Sequence, residues 1–425
     1  MPFPIERVDA LEILDSRGNP TLSVEVALAG GFTGEAQVPS GASTGTHEAV
    51  ELRDGDPTRY AGKGVRQAVR HVLEVLGPAV RGMDAADQAA IDLRLLALDP
   101  TPQKSRLGAN ALLGLSCAVA RAAACALRVP LWQHLRGSRE ACLPLPMVNI
   151  VSGGLHAGRQ FEFQDFLVIP HGLPDYPAAL EAAVAVHRAA RAEIESRGYV
   201  LTGVADEGGW GPRLPRNEMA LEILCRSIER AGYRPGAQVS IAVDVAASHF
   251  QRAGQYHLDS EARVLSPEEM IGLLAAWCAR FPILSLEDGL AEDDWNGWKR
   301  LTGALGSRVQ LLGDDLFVTN LARLERGIRE GAANAVLVKM NQIGTLTETF
   351  AVIDRARQSG YRAVISARSG ETEDDFLADL AVASGAGQIK IGSVRSSERL
   401  AKYNRLLRIA RDAGLAFARF PTPAG

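Results

Sequence analysis

The sequence predicts an α/β protein: an N-terminal α+β domain over residues 1–140 and a β/α barrel over residues 141–425. Three observations carry this. The first forty residues hold three alternating apolar runs split by turn residues, the pattern of a small antiparallel sheet. Beyond residue 140, short apolar runs alternate with helical segments. Such alternation implies a parallel sheet, and sustained over about 250 residues or more it favours a closed barrel. An open doubly wound sheet is the alternative, but no GxGxxG fingerprint follows a first strand.

In order along the chain, strands are expected at Val8–Leu14, Leu22–Leu28 and Phe32–Val38. Turns at Asp15-Ser16-Arg17-Gly18-Asn19-Pro20 and Gly30-Gly31 separate them. Helices follow at Gly64–Leu76, Asp84–Leu96 and Asn110–Leu127, the last rich in alanine and leucine and so expected to be buried. The proline-spaced stretch from Cys142 to Met147 suits a domain boundary. In the second half, Asn217 is expected to cap a helix ending at Gly232. Ser266-Pro267-Glu268-Glu269 should open another, with proline at the first helical position. Strands are expected at Val239–Val243, Ile283–Leu286, Val309–Leu312, Ala335–Val338, Ala363–Ile365 and Gln388–Ile391.

Composition narrows the function. The chain has 425 residues, 47% hydrophobic and 23% charged, with a net charge of -4. That balance argues against a general nucleic-acid or anionic-membrane binder. No apolar run is expected to cross a bilayer, since the stretch near Ala118–Leu127 is short and broken by Arg121. No secretory signal is visible at the start, and five widely spaced cysteines form no CxxC, so a reducing cytoplasm is expected. Only six of the 46 basic residues are lysine: Lys63, Lys104, Lys299, Lys339, Lys390 and Lys402. Lysine can give up its proton when buried, whereas arginine cannot. Lys63, Lys104 and Lys299 sit in polar surroundings and read as chance retentions.

The chemistry gathers where strands end. Asp244, Glu287 and Asp314 each follow an expected strand; Lys339 follows another; Ala367-Arg368-Ser369-Gly370 follows the next; Lys390 lies in the last. A barrel brings those ends to one face. A single acid there is more often a cap or a surface ion pair. Three clustered carboxylates repel each other unless a cation joins them, and oxygen-only donors favour Mg²⁺, Mn²⁺ or Ca²⁺ over zinc. Burial and cationic neighbours lower a lysine's pKa, so Lys339 or Lys390 could serve as a neutral base while the other binds an anion. Arg368 and Ser369 offer donors for a phosphate or carboxylate. Upstream, Ser40-Gly-Ala-Ser-Thr-Gly could fold over a ligand as a lid, and Glu207 sits in a glycine-rich turn.

Over nearly its whole length the sequence resembles the enolase family. The matching stretches are Asp15-Ser-Arg-Gly-Asn-Pro, Pro39-Ser-Gly-Ala-Ser-Thr-Gly, Glu51-Leu-Arg-Asp-Gly-Asp, Leu107-Gly-Ala-Asn-Ala, Asp206-Glu-Gly-Gly, Leu286-Glu-Asp-Gly, Gly313-Asp-Asp-Leu-Phe-Val-Thr-Asn, Lys339-Met-Asn-Gln-Ile-Gly, Arg368-Ser-Gly-Glu-Thr-Glu-Asp and Ala401-Lys-Tyr-Asn. The resemblance implies an enolase-type barrel with an α+β capping domain, a cytoplasmic homodimer, and dehydration of a phosphorylated or phosphono glycerate. It implies that Asp244, Glu287 and Asp314 hold one Mg²⁺ and that Lys339 abstracts the proton alpha to the carboxylate. Lys390 would steady the enolate, and Glu207 would protonate the leaving hydroxyl with Gln164 and Asp165 beside it. Ser40 would reach a second Mg²⁺ bound with substrate. His156, Arg368 and Ser369 belong to the substrate-binding set.

Several positions depart from the family pattern. Its Ser-His-Arg-Ser-Gly-Glu is Ser366-Ala367-Arg368-Ser369-Gly370-Glu371, so the histidine is alanine. Its Gln-Glu-Phe is Gln164-Asp165-Phe166, one methylene shorter. Its Asn-Gly-Gly is Ser152-Gly153-Gly154, the asparagine-rich loop after His156 carries Arg159, and Lys-Thr-Gly is Lys390-Ile391-Gly392. The changes cluster near the phosphoryl and hydroxyl end. They point to a paralogue whose glycerate bears a larger or more acidic phosphorus substituent, with Ala367 leaving room and Arg159 adding charge. An ordinary phosphopyruvate hydratase with a tolerant site is the first alternative. A non-catalytic binding protein is the second, disfavoured by the retained acids.

Overall fold

The computed structural model describes residues 2–42 and 45–421. Ser43 and Thr44 of the expected lid therefore lie outside the described residues. The N-terminal part opens with an antiparallel sheet, β1 (Ile5–Leu14), β2 (Pro20–Leu28) and β3 (Thr33–Gln37), in that order. Asp15 fixes the β1–β2 turn: its Oδ1 accepts from the Arg17 and Asn19 amides at 2.8 Å each. The Ala109–Leu127 helix packs on β2 and β3. β3 crosses it at Gly34, where a Cβ would stand 2.2 Å from the Ala122 nitrogen, so only glycine fits. This helix is long and apolar enough to cross a membrane, contrary to the sequence expectation, but it is a core helix enclosed by its own domain.

Two expected helices differ in detail. The segment expected at 64–76 is helical from Arg66 to His71, then widens into a π-type turn over Val72–Leu76. The next helix begins later, at Gln88, because Asp87 caps it by accepting from the Ala90 amide. Lys104 is not a surface lysine: it is 4% exposed and its Nζ donates to Glu348 Oε1 at 2.6 Å, tying the first domain to the barrel. Asp92 makes a second tie, accepting from Ser116 Oγ and from the Thr347 amide and hydroxyl.

Eight strands close the barrel: β4 (Leu145–Ser152), β5 (Asp165–Ile169), β6 (Ser240–Asp244), β7 (Ile283–Glu287), β8 (Gln310–Gly313), β9 (Ala335–Val338), β10 (Arg362–Ser366) and β11 (Gln388–Gly392). The expectation of a wholly parallel sheet fails at one strand. β5 runs antiparallel to both β4 and β6, because a short loop returns the chain directly from β4. The sequence reading missed β4 and β5 altogether. The prolines of the 142–147 stretch hid the first.

Leu145, Met147, Leu167, Ile169, Leu312, Leu337 and Val364 fill the barrel interior as one apolar cluster. Water is excluded there, so the ionisable side chains collect at the strands' carboxyl ends. The Pro267–Arg280 helix opens where expected, and a capping box adds to it: Ser266 Oγ accepts from the Glu269 amide, and Glu269 accepts from the Ser266 amide. Asn217 does not cap its helix as expected. Its Oδ1 accepts from the Phe163 amide at 2.9 Å, so it anchors the β4–β5 loop instead.

Candidate active site

Three adjacent strands deliver the acids. Asp244 closes β6 and Glu287 closes β7, and the two are direct partners in the ladder. Asp314 follows β8, which pairs with β7 on its other side. The Lys390 ammonium, from β11 across the barrel, sits between the first two acids. Its Nζ donates to Asp244 Oδ2 at 2.8 Å and to both Glu287 oxygens at 2.8 Å each. Asp314 accepts from Lys339 Nζ through Oδ2 and from Gln342 Nε2 through Oδ1, the latter at 3.0 Å. All six side chains are buried or nearly so.

Electrostatics show what this arrangement lacks. Burial, together with the neighbouring Asp244, pushes the Glu287 carboxyl well above its ordinary value despite Lys390 in contact. Glu287 therefore has room for more positive charge than this ammonium supplies. Burial pulls the Lys339 ammonium down, yet Asp314 in contact outweighs it and the net direction is upward. This corrects the expectation of a lysine made neutral by burial: Asp314 keeps the proton on.

The second cluster lies on the β4–β5 side. Ligand atoms of His156, Asp165 and Glu207 all lie within 4.8 Å of one another. Asp165 accepts from His156 Nδ1 at 2.8 Å, Ser152 Oγ at 2.7 Å and Asn149 Nδ2 at 2.6 Å. The short aspartate is thus drawn back onto Ser152, which replaces the family's asparagine, so these two departures are structurally one. Burial works against the His156 proton, but Asp165 and Glu207 overcome it and raise His156 to about 9. Glu207 moves the other way. Burial would raise it, but His156, Arg399 and Lys390 lower it. Glu207 rests as a carboxylate and must take up a proton before it can donate one.

The phosphoryl-side residues converge from both domains. Ser40 and Gly370 exchange backbone hydrogen bonds of 2.8 and 2.9 Å, which brings the lid segment to the Arg368–Ser369 turn. Arg399 fixes that turn from below, donating to the carbonyls of Arg368 at 2.6 Å and Ser369 at 2.7 Å. Arg368 pairs with Glu48 at 2.9 Å. Ala367 lines the same narrow pocket as His156, Gln164, Glu207, Asp244, Asp314, Lys339, Arg368, Ser369 and Lys390. Its volume, about 20 Å³, suits one water molecule, so substrate entry requires these side chains to part.

Two expected residues stand apart. Ser40 Oγ is met by Arg53 Nη2 at 2.8 Å and Arg17 Nη2 at 3.3 Å. Ser40 Oγ also donates to Glu51 Oε2 at 3.4 Å, so one carboxylate shares these surroundings with the two guanidinium groups. Arg159 is exposed and lies outside the narrow pocket, on the wall of a neighbouring cleft. Sequence reasoning gave no role to Arg17, Glu48, Gln342 or Arg399. Arg17 and Gln342 stood in quoted motifs, so their signal was present; Glu48 stood in none, and Arg399 lies on a helix far along the chain and left none.

Donor chemistry tests the fit of Mg²⁺. Asp244, Glu287 and Asp314 offer only oxygen, and a cationic nitrogen already stands between two of them as a stand-in. Gln164 Oε1, buried beside Asp244, has no hydrogen-bond donor. These residues fit an oxygen-bound divalent ion. Among the described residues, the acidic group whose oxygens already lie within 4.8 Å is Asp288, Asp314 and Asp315, sharing Asp314 with this set.

His187 supports the Glu207 turn: its Nε2 bonds the Gly208 carbonyl at 3.2 Å and its ring stacks on Trp210 at 4.7 Å. Burial lowers it from 6.5 to about 4. As pH falls below about 6.5 the unfolded chain gains a proton that the folded chain refuses, so stability falls until about pH 4. The expected loss is about 2 kcal/mol between pH 7 and pH 5. In urea titrations at the two pH values, His187→Gln should show a smaller drop than the parent; an equal drop contradicts this.

Residues 5–135 match the family described as Enolase, N-terminal domain, and residues 140–419 match Enolase, C-terminal TIM barrel domain.

Proposed function

The chain belongs to the enolase family, whose fold and acidic metal-binding groups mark an enolase-like, Mg²⁺-dependent dehydratase, and we propose that its substrate is 2-phosphonoformylglycerate, converted to carboxyphosphonoenolpyruvate. The observation carrying this reading is Ala367. Its methyl group lines the pocket beside Arg368 and Ser369, where the family pattern places an imidazole. The missing ring would otherwise stand where the phosphorus of a glycerate would be held. A carboxylate on that phosphorus needs both space and added cationic partners.

Each residue then has a task. Lys339 takes the proton alpha to the carboxylate, once Asp314 has turned its charge away from Nζ and the ammonium has released its own proton to solvent. Lys390 leaves the Asp244–Glu287 gap and places its ammonium on the substrate carboxylate as that group becomes dianionic. When bound by Asp244, Glu287 and Asp314, Mg²⁺ supplies the positive charge that makes so weak a carbon acid removable. On the opposite face, His156 carries a proton at neutral pH and Asp165 holds its ring. Glu207, in contact range of both, receives a proton and passes it to the departing hydroxyl. Arg368 and Ser369 exchange Glu48 and Arg17 for the phosphorus group.

Steady-state comparison of 2-phosphonoformylglycerate with 2-phosphoglycerate tests this. The expected kcat/KM ratio is about tenfold or more in favour of the former, roughly 1.4 kcal/mol of discrimination. A rapid housekeeping rate on 2-phosphoglycerate would assign the chain to phosphopyruvate hydration instead. Ala367→His should reverse the preference, raising 2-phosphoglycerate turnover several-fold while lowering that of the larger substrate. No gain on 2-phosphoglycerate would show that room is not the reason for alanine.

A further inference from the structure

We propose that the open cleft behind the β4–β5 loop is an anion subsite that receives an acidic group carried beyond the substrate's phosphorus; this rests on the dehydratase reading above. The cleft measures about 620 Å³. It shares a wall with the narrow catalytic pocket: Gly154 and Leu155 face the cleft, while the next residue, His156, faces the acids. Phe161 and Phe250 form its buried floor.

Charge in the cleft is unbalanced. Arg252 is neutralised by Asp259 at 2.7 Å. Glu162 is occupied by Ser260, through amide and hydroxyl at 2.7 Å each, and by Asn217 Nδ2 at 2.8 Å. Arg159 and Arg213 have no acidic partner among the described residues. Glu162 keeps its charge, so three guanidinium groups face two carboxylates and the cleft carries one net positive charge. His249 adds an unsatisfied group, its Nδ1 being buried without a hydrogen-bond partner. The backbone points the same way. Arg159 has a φ of +58°, rare for a side chain of its size, and is held there by its amide bonding the Gly154 carbonyl at 2.6 Å. A carboxylate is the matching ligand, because guanidinium binds it through paired hydrogen bonds.

Calorimetric binding to the Mg²⁺-loaded protein tests the assignment, with phosphonoformate and methylphosphonate as probes. They differ in the carboxylate on phosphorus. The parent should prefer phosphonoformate by about tenfold or more. Arg159→Ala and Arg213→Ala should each cut that ratio severalfold, Arg159→Lys should retain part of it, and the remote surface variant Arg411→Ala should leave it intact. A parent ratio near one, or alanine variants that keep the parent ratio, overturns the subsite. The two readings fail separately. A preserved ratio pattern without dehydration of any glycerate removes the function and leaves the subsite. Dehydration without the preference does the reverse.

Discussion

Lys339→Ala is expected to lower the dehydration rate by about 10³–10⁴, with little change in fold. The side chain follows β9, its ammonium touches Asp314, and it is placed among the pocket-lining residues. No other amine is free to replace it. Lys390 is held by Asp244 and Glu287 at rest and by the substrate carboxylate in turnover, and Lys402 lies outside the pocket, paired with Glu371 at 2.9 Å. Arginine should not rescue the loss, since its guanidinium retains its proton at any workable pH. Product formation measured for Lys339→Ala and Lys339→Arg checks this. Substantial activity in either variant would place the base elsewhere.

Lys390→Met should produce the largest change in stability. Removing the ammonium leaves Asp244 and Glu287 buried and facing each other without a cation. Breaking a buried pair in this way costs about 3–5 kcal/mol. Added Mg²⁺ should then raise the melting temperature more in the variant than in the parent, because the competing ammonium is gone and the acids gain a counter-charge. Turnover should stay low even in the refolded, Mg²⁺-saturated variant, since nothing remains to meet the developing dianion. Differential scanning calorimetry with and without Mg²⁺ measures both effects. Equal Mg²⁺ shifts in parent and variant would mean that the ion and Lys390 do not share these acids.

Much of this was legible because chemistry and chain geometry coincide. The acids and Lys339 sit at strand ends, and in a β/α unit the strand end is readable from the apolar run before it. Ala335–Val338 was placed to the residue, while Asp244 and Glu287 proved to be the last residues of their strands, one place beyond the expected ends. What stayed hidden depends on pairs distant in sequence. The Arg368–Glu48 ion pair spans the two domains, and Arg399 reaches two carbonyls about thirty residues away. No local pattern announces such contacts. The reversal of β5 was equally silent, since strand direction is set by the loop's return and not by the residues in the strand. Protonation was misread for the same reason: burial alone argues for a neutral lysine, and only coordinates reveal Asp314 against it.

The central claim is that Lys339 removes the carbon-bound proton while the His156–Asp165–Glu207 side expels the hydroxyl. Exchange of the substrate's C2 hydrogen with D₂O, followed by NMR in the presence of Mg²⁺, separates these halves for whichever glycerate is turned over faster. Glu207→Gln should continue to exchange that hydrogen while forming little product, and Lys339→Ala should do neither. Persistent exchange in Lys339→Ala would contradict the account.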